Sequence, residues 1–345
     1  MKEIRVGLIG CGNIGGFHCR VLEEVENAKL VAVADPNAAL TSALEQKYGC
    51  RAFGDYKDML AWGEVDLVSV CLPPALHFEA VEAAAKAGIH VLVEKPLDVS
   101  PQSADRMIAV CQNAGVKLGA VSQHRFDPAI RALSDLINRG ALGRLMMGTV
   151  HVIWYRDPAY YETGGGWRGL KANQGGVLMS QATHYIDLLQ YLMGGVDSVS
   201  AVCETLLHNI EAEDTGLALL RFKNGAIGSI EATTMAYPGL MAELNIYAEN
   251  ATICVRNDSL AFYESKTGKI AELDALLAQK REVEAAVADP LALDTAGHRA
   301  QYLDMISAIF EDRDPVLDGA QGRQPLALID AIHRASEQGT WIKVD

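Results

Sequence analysis

The stretch Ile4-Arg5-Val6-Gly7-Leu8-Ile9-Gly10-Cys11-Gly12-Asn13-Ile14-Gly15 decides the fold. An apolar run of strand length ends on G-x-G-x-x-G, and the helical stretch Ile14 to Val25 follows at once. Each glycine then has its own task. Gly10 permits the tight turn, Gly12 lets the backbone approach a pyrophosphate, and Gly15 lets helix and strand pack closely. The helix start at Asn13 and Ile14 offers backbone N–H groups to phosphate oxygens. This pattern predicts a bound dinucleotide.

Outward from the turn, the β-rich runs Leu30 to Ala34, Val65 to Leu72, His90 to Val93 and Lys117 to Val121 alternate with helical segments such as Phe78 to Ala87 and Ser103 to Ala114. The strands are largely apolar, as strands covered on both faces must be, and Gly88 and Gly115 stand where helices stop. The expectation is a doubly wound α/β Rossmann domain over 1–122. Asp35 closes the second strand, 20 residues after Gly15. There a carboxylate accepts hydrogen bonds from both adenosine ribose hydroxyls and repels a 2′-phosphate, which favours NAD over NADP. The competing reading makes Asp35 a cap of the turn with Pro36 and Asn37.

At the carboxyl ends of later strands stand Leu72-Pro73, His77 just beyond, and Glu94-Lys95-Pro96. Ligands of doubly wound sheets bind along that edge. Leu72, Pro73, Glu94 and Lys95 are therefore cofactor candidates, as is Gln123 after the last Rossmann strand. His77 either touches cofactor or caps its helix. An ammonium at Lys95 beside an oxidised nicotinamide would have a lowered pKa and would stabilise a developing alkoxide.

After Phe126 the pattern changes. A helix is expected over Pro128 to Arg139, a strand over Arg144 to Trp154, a glycine-rich loop to Gly176, and a helix over Leu178 to Met193. Strands at Asp214 to Phe222 and Ala226 to Thr234 flank Asn224-Gly225, a hairpin signal. A two-residue turn there puts Leu220, Phe222 and Ile227 on one face and Leu217, Leu219 and Ile230 on the other, so both faces need cover, and a second subunit can supply one of them. Glu264 to Thr295 reads as loop plus a solvated helix. Tyr302, Met305, Ile306, Ile309 and Phe310 mark a helix face, and a last helix near Leu326 to Ser336 precedes a short strand. Residues 123–345 are thus expected to form an α+β domain with a large open, mainly antiparallel sheet.

The 345 residues are half apolar and carry a formal net charge of −14, which disfavours nucleic acid and anionic membranes as partners. The seven cysteines are scattered without C-x-x-C spacing, which suggests neither disulfides nor zinc and fits a reducing cytoplasm. No apolar run reaches the roughly 18 residues of a membrane span. The histidines show no short ligand spacing, so no metal is expected.

Taken together, Gly10 to Gly15, Glu94-Lys95-Pro96, Gln123-His124-Arg125-Phe126 and Gly175-Gly176-Val177-Leu178-Met179-Ser180-Gln181-Ala182-Thr183-His184 resemble the Gfo/Idh/MocA oxidoreductases over nearly the whole chain. The stretch Trp154 to Asp187 is most similar to sugar and nucleotide-sugar dehydrogenases. The resemblance implies that Lys95 is the lysine of the E-K-P motif and that His184 is the acid or base. Many relatives carry aspartate four residues before that histidine, and here Ser180 takes its place. Ser180 and Gln181 are then candidates to orient the ring or bind substrate, with Arg125, Trp167 and Arg168 further substrate candidates. The implied activity is hydride transfer between NAD and a secondary alcohol of a polyol, sugar or nucleotide sugar, by a homodimer or homotetramer. A glycosidase or lyase with transient redox, and a non-catalytic dinucleotide-binding regulator, are the alternatives.

Overall fold

The computed structural model describes residues 3–171, 175–278 and 295–345. The chain forms two compact units, Met1–Gln123 with Asp294–Arg323, and His124–Leu293 with Gln324–Asp345.

The first unit winds strand and helix alternately. Its elements are β1 (Ile4–Ile9), α1 (Asn13–Leu22), β2 (Ala28–Ala34), α2 (Ala38–Tyr48), β3 (Arg51–Phe53), α3 (Tyr56–Ala61), β4 (Leu67–Val70), α4 (His77–Lys86), β5 (His90–Val93), α5 (Pro101–Ala114) and β6 (Leu118–Ala120). All strand pairs are parallel, in the order β3-β2-β1-β4-β5-β6. Order reverses beside β1, so the ends of β1 and β4 open the crevice in which such sheets bind ligands. The helices are bounded as their sequences dictate. Asn37 and Ser100 cap α2 and α5 by accepting backbone N–H groups, and left-handed Gly49 and Gly115 close them. The edge strand β3 was not expected, since three half-exposed residues carry no readable alternation.

In the second unit, α6 (Pro128–Asn138), β7 (Leu145–Ile153), α7 (Pro158–Glu162) and α8 (Thr183–Met193) precede β8 (Val196–Glu204), β9 (Thr215–Phe222), β10 (Ile227–Thr233), β11 (Glu243–Ala248), β12 (Ala251–Arg256), β13 (Ser259–Ser265) and α9 (Ala271–Ala278). After residues 279–294, which lie outside the described residues and hold part of the expected solvated helix, come α10 (Thr295–Glu311), α11 (Gly319–Gln338) and β14 (Ile342–Lys343). Eight strands run in the order β13-β12-β11-β7-β10-β9-β8-β14, antiparallel except for the β7–β10 pair.

Two expectations change. Helix α10 belongs to the first unit, because its Tyr302, Met305 and Ile306 are buried among Phe17, Val21 and Leu22 of α1 and Ile4 and Val6 of β1. The β9–β10 connection is a three-residue loop, with Phe222 N–H bonded to the Ala226 carbonyl and only Gly225 at positive φ. One residue more in the loop than the two-residue turn shifts the register by one and exchanges the faces of β10. Ile230 therefore lies opposite Ala218 in the core with Leu220 and Phe222, while Ile227 lies opposite Arg221 and shares the open face with Leu217 and Leu219.

Candidate active site

In the first unit the glycine turn is sterically specified. Gly10 has φ +95°, and a Cβ there would lie 2.5 Å from the Cys71 carbonyl oxygen. A Cβ on Gly15 would collide with the carbonyl of Gly10, whereas Gly12 faces open space. Helix α1 begins there with no side chain capping it. Asp35 accepts the Cys11 N–H through Oδ2 and the Asn37 N–H through Oδ1, both at 2.8 Å. The turn-capping reading is thus realised, and each oxygen retains a second lone pair for another donor. The Cys11 thiol beside it is pushed up to about 12 by burial and by Asp35, which leaves it protonated and inert.

Leu72 and Pro73 follow β4 as expected. His77 is fully buried, with Nε2 2.8 Å from the Leu72 carbonyl and Nδ1 3.1 Å from the Leu97 carbonyl. Burial lowers its pKa. The ring is a bracket joining the segments after β4 and β5, a place from which it does not reach outward to a ligand.

Glu94 follows β5 directly and lies in a buried network that the sequence did not announce. Its Oε1 lies 2.9 Å from His18 Nε2 and 3.7 Å from His298 Nε2, and its Oε2 accepts the Lys95 backbone N–H at 3.0 Å. Behind it, Tyr302 donates to Ser69 Oγ at 2.9 Å, and Ser69 Oγ lies 3.0 Å from His18 Nδ1. Burial pushes the Glu94 carboxyl up, but hydrogen bonds and charge from His18 and His298 outweigh it and hold the group well below its ordinary range. The chain at Lys95 is thereby pinned. Gln123 is also buried, and its Oε1 has no hydrogen-bond partner among the described residues.

In the second unit, Leu178–Ala182 forms a π-helical turn that runs into α8, with His184 in the first turn of α8. A π-turn advances side chains by an extra residue and recurs at functional sites. Ser180 donates its hydroxyl to the Gly176 carbonyl. Gln181 accepts from Arg156 at 3.0 and 2.7 Å and donates to the Tyr160 hydroxyl at 2.6 Å. The guanidinium carbons of Arg156 and Arg168 lie 5.4 and 4.9 Å from the Tyr160 ring centre. Trp167 falls outside the described side chains.

Arg125 departs from its expected substrate role. It is 4% exposed, pairs with Asp187 of α8 through Nε and Nη2, and stacks 4.6 Å above Tyr191. A buried, doubly bonded guanidinium fastens the segment before α6 to α8. His124 next to it stands edge-on to His184, ring centres 4.9 Å apart. Its Nδ1 lies 2.9 Å from Asp127 and 3.5 Å from Asp258.

All seven cysteines are free thiols, and no helix among the described residues is long and apolar enough to cross a membrane. Two models of the oxidoreductase family match, the NAD-binding Rossmann fold over residues 4–121 and the C-terminal alpha/beta domain over 134–344. The chain belongs to the Gfo/Idh/MocA oxidoreductase family. Its likeness to named dehydrogenases makes it an NAD-dependent oxidoreductase acting on CH–OH groups. The WlbA dehydrogenase of Bordetella pertussis, solved in complex with NADH and UDP-GlcNAcA, is 34% identical, with 100% of this chain and 98% of that one covered and a TM-score of 0.90. Myo-inositol 2-dehydrogenase of Thermotoga maritima is 30% identical over 74% of this chain and 75% of its own length. UDP-N-acetylglucosamine 3-dehydrogenase of Acidithiobacillus ferrooxidans is 26% identical over 98% of both.

Sequence reasoning missed Arg156, Tyr160, Asp127 and Asp258, which carry no motif. His18 left a trace, a histidine beside Phe17 and Val21 on the inner face of α1.

Proposed function

We propose that this Gfo/Idh/MocA oxidoreductase oxidises a secondary alcohol of a sugar derivative bearing an anionic group, such as a nucleotide sugar or sugar acid. The observation that carries the substrate class is the pairing of Arg156 and Arg168 on the ring of Tyr160, with Gln181 tied to Arg156 and Tyr160. Two guanidinium groups gathered on one ring in a chain of net charge −14 favour an anionic ligand. The UDP-GlcNAcA bound by the Bordetella relative is such a compound.

The first unit suits the cofactor. The open face of Gly12 admits a pyrophosphate to the uncapped start of α1 at Asn13 and Ile14, and Gly10 and Gly15 keep the turn tight. Asp35 takes the adenosine ribose and selects NAD over NADP. Leu72, Pro73 and Lys95 line the strand ends, Glu94 holds the Lys95 backbone from within rather than touching cofactor, and the Oε1 of Gln123, unpartnered among the described residues, accepts from an amide donor such as the carboxamide of the nicotinamide. Bound NAD supplies the hydride acceptor. Lys95 hydrogen-bonds the substrate oxygen and stabilises its developing charge, while His184 takes the hydroxyl proton as general base. Ser180 orients the turn before His184 through its bond to Gly176.

A panel of nucleotide sugars, sugar acids, free sugars and inositols, followed by NADH absorbance, tests this. Nucleotide sugars or sugar acids should give the highest kcat/KM, and Lys95→Met and His184→Ala should each lose roughly 10²–10⁴-fold in kcat while binding NADH normally. Turnover of neutral inositols alone would refute the substrate class. Retained physiological function in both variants would refute enzymatic action altogether.

We also infer a homodimer or homotetramer formed on the open face of β8 to β10. Val202, Leu217, Leu219 and Ile227 there are each at least half exposed, Val202 lying opposite Leu217, and apolar side chains gathered on one open face favour association. Leu219→Lys with Ile227→Lys should yield monomers by sedimentation, and a monomeric wild type would sink the inference.

A further inference from the structure

We propose that His124, backed by Asp127 and Asp258, is the proton relay behind His184 and replaces the carboxylate that Ser180 does not provide. The inference rests on the reading of His184 as general base. A base at that position must stabilise its imidazolium and pass the proton on before the next turnover. Ser180 cannot serve, since its hydroxyl is donated to the Gly176 carbonyl and carries no charge.

A second histidine beside His184 is differently equipped. This is His124, which stands edge-on to His184, ring planes 81° apart and centres separated by 4.9 Å. Nδ1 of His124 lies between two carboxylates, 2.9 Å from Asp127 Oδ2 and 3.5 Å from Asp258 Oδ2. Neither oxygen is a donor when ionised, so Nδ1 must carry the hydrogen, and in the neutral ring Nε2 is the proton acceptor. The two flanking anions offset the charge of the imidazolium that forms once Nε2 has taken the proton.

Asp258 is held for this task from two sides. It lies with Asn257 in the β12–β13 turn, both residues at positive φ, and its Oδ1 accepts from the Tyr185 hydroxyl at 3.0 Å. Burial and Asp258 hold the Tyr185 phenol well above its ordinary range, so it stays a donor. Tyr185 is the neighbour of His184 on α8, and one helical turn thus presents the base to substrate and secures the carboxylate behind the relay. The side chain of His124 is 22% exposed, which gives the proton an exit to water.

The step balances as follows. The hydroxyl proton goes to His184 and one proton passes from His184 to His124, while the electron pair of the C–H bond leaves as hydride to NAD. The positive charge left on His124 is matched by Asp127 and Asp258. Among the described residues, titratable groups facing His124 include Asp127, Asp258 and His184, with Tyr185 behind Asp258.

His124→Asn keeps a donor towards Asp127 but cannot carry a proton. It should lower kcat about 10- to 100-fold with KM within about twofold, and move the acid limb of the kcat–pH profile. His124→Ala should regain activity with added imidazole. Asp127→Asn and Asp258→Asn should shift the same limb in the same direction. Wild-type kcat and pH profile in His124→Asn, with His184→Ala inactive, would overturn the relay and leave the role of His184 standing. Full activity in His184→Ala would overturn both. Loss in His124→Asn without a profile shift or imidazole rescue would assign a structural role and overturn the relay. So would a requirement for added Mg²⁺ or Zn²⁺ after chelation, lost in Asp127→Asn, which would assign the cluster to a cation.

Discussion

Among the described residues, two groups of three histidine and carboxylate side chains gather closely, one in each unit, and they are built inversely. In the first, a single carboxylate, Glu94, faces two imidazoles, His18 and His298, and all three are almost wholly withdrawn from water. In the second, a single imidazole, His124, faces two carboxylates, and all three side chains remain between 17% and 29% exposed. The difference teaches which cluster can do chemistry. A proton cannot enter or leave the first without stranding a charge in a medium of low dielectric, so that cluster fixes geometry beneath Lys95. The second exchanges protons with solvent at small cost, as a relay requires.

The largest effect expected from breaking this contrast is at Glu94. In Glu94→Gln the amide must point its NH₂ either at His18 Nε2 or at the Lys95 N–H, each of which needs an acceptor. One buried donor is left unpaired unless the His18 ring changes tautomer, and with the charge-assisted bond lost in either case the loss should be about 2–3 kcal/mol at neutral pH, measured by chemical denaturation. The pH dependence follows from the depressed carboxyl. A group with a folded pKa below its unfolded value near 4.5 contributes fully above that value and loses its contribution as pH falls through the folded one. The gap between wild type and Glu94→Gln should therefore be constant from neutral pH to about 5 and shrink in stronger acid. A gap that widened with acid would reverse the assignment of charge to Glu94.

What could be read beforehand follows the same divide between local and distant. The turn Gly10 to Gly15, the helix-ending glycines Gly88 and Gly115 and the strand ends at Leu72 and Glu94 were legible, because backbone conformation there depends on a few adjacent residues. The face of β10 was misread because one additional loop residue reverses every side chain of a strand, and Asn224-Gly225 alone does not fix the loop length. Helix α10 gave its amphipathic face but not the surface it covers, which lies on α1 and β1 far away in sequence. Arg125 looked like a ligand contact by its place after β6, yet Asp187 takes it, and no periodicity reveals a pairing 62 residues apart. Asp258, joined to Tyr185 across 73 residues, is hidden for the same reason.

The smallest expected stability effect sharpens the contrast from the other side. Asp258→Asn retains an acceptor for the Tyr185 hydroxyl and keeps a residue type that tolerates positive φ. It removes one of two anions from a partly hydrated imidazole that Asp127 still holds. Stability should thus change by no more than about 1 kcal/mol, against the larger loss at Glu94, because water screens what the buried cluster cannot share. Denaturation curves of the two variants at one pH make the comparison directly. Equal losses would mean that the open cluster is as much a structural clamp as the buried one, and the division between a geometry-fixing and a proton-exchanging pair would fall.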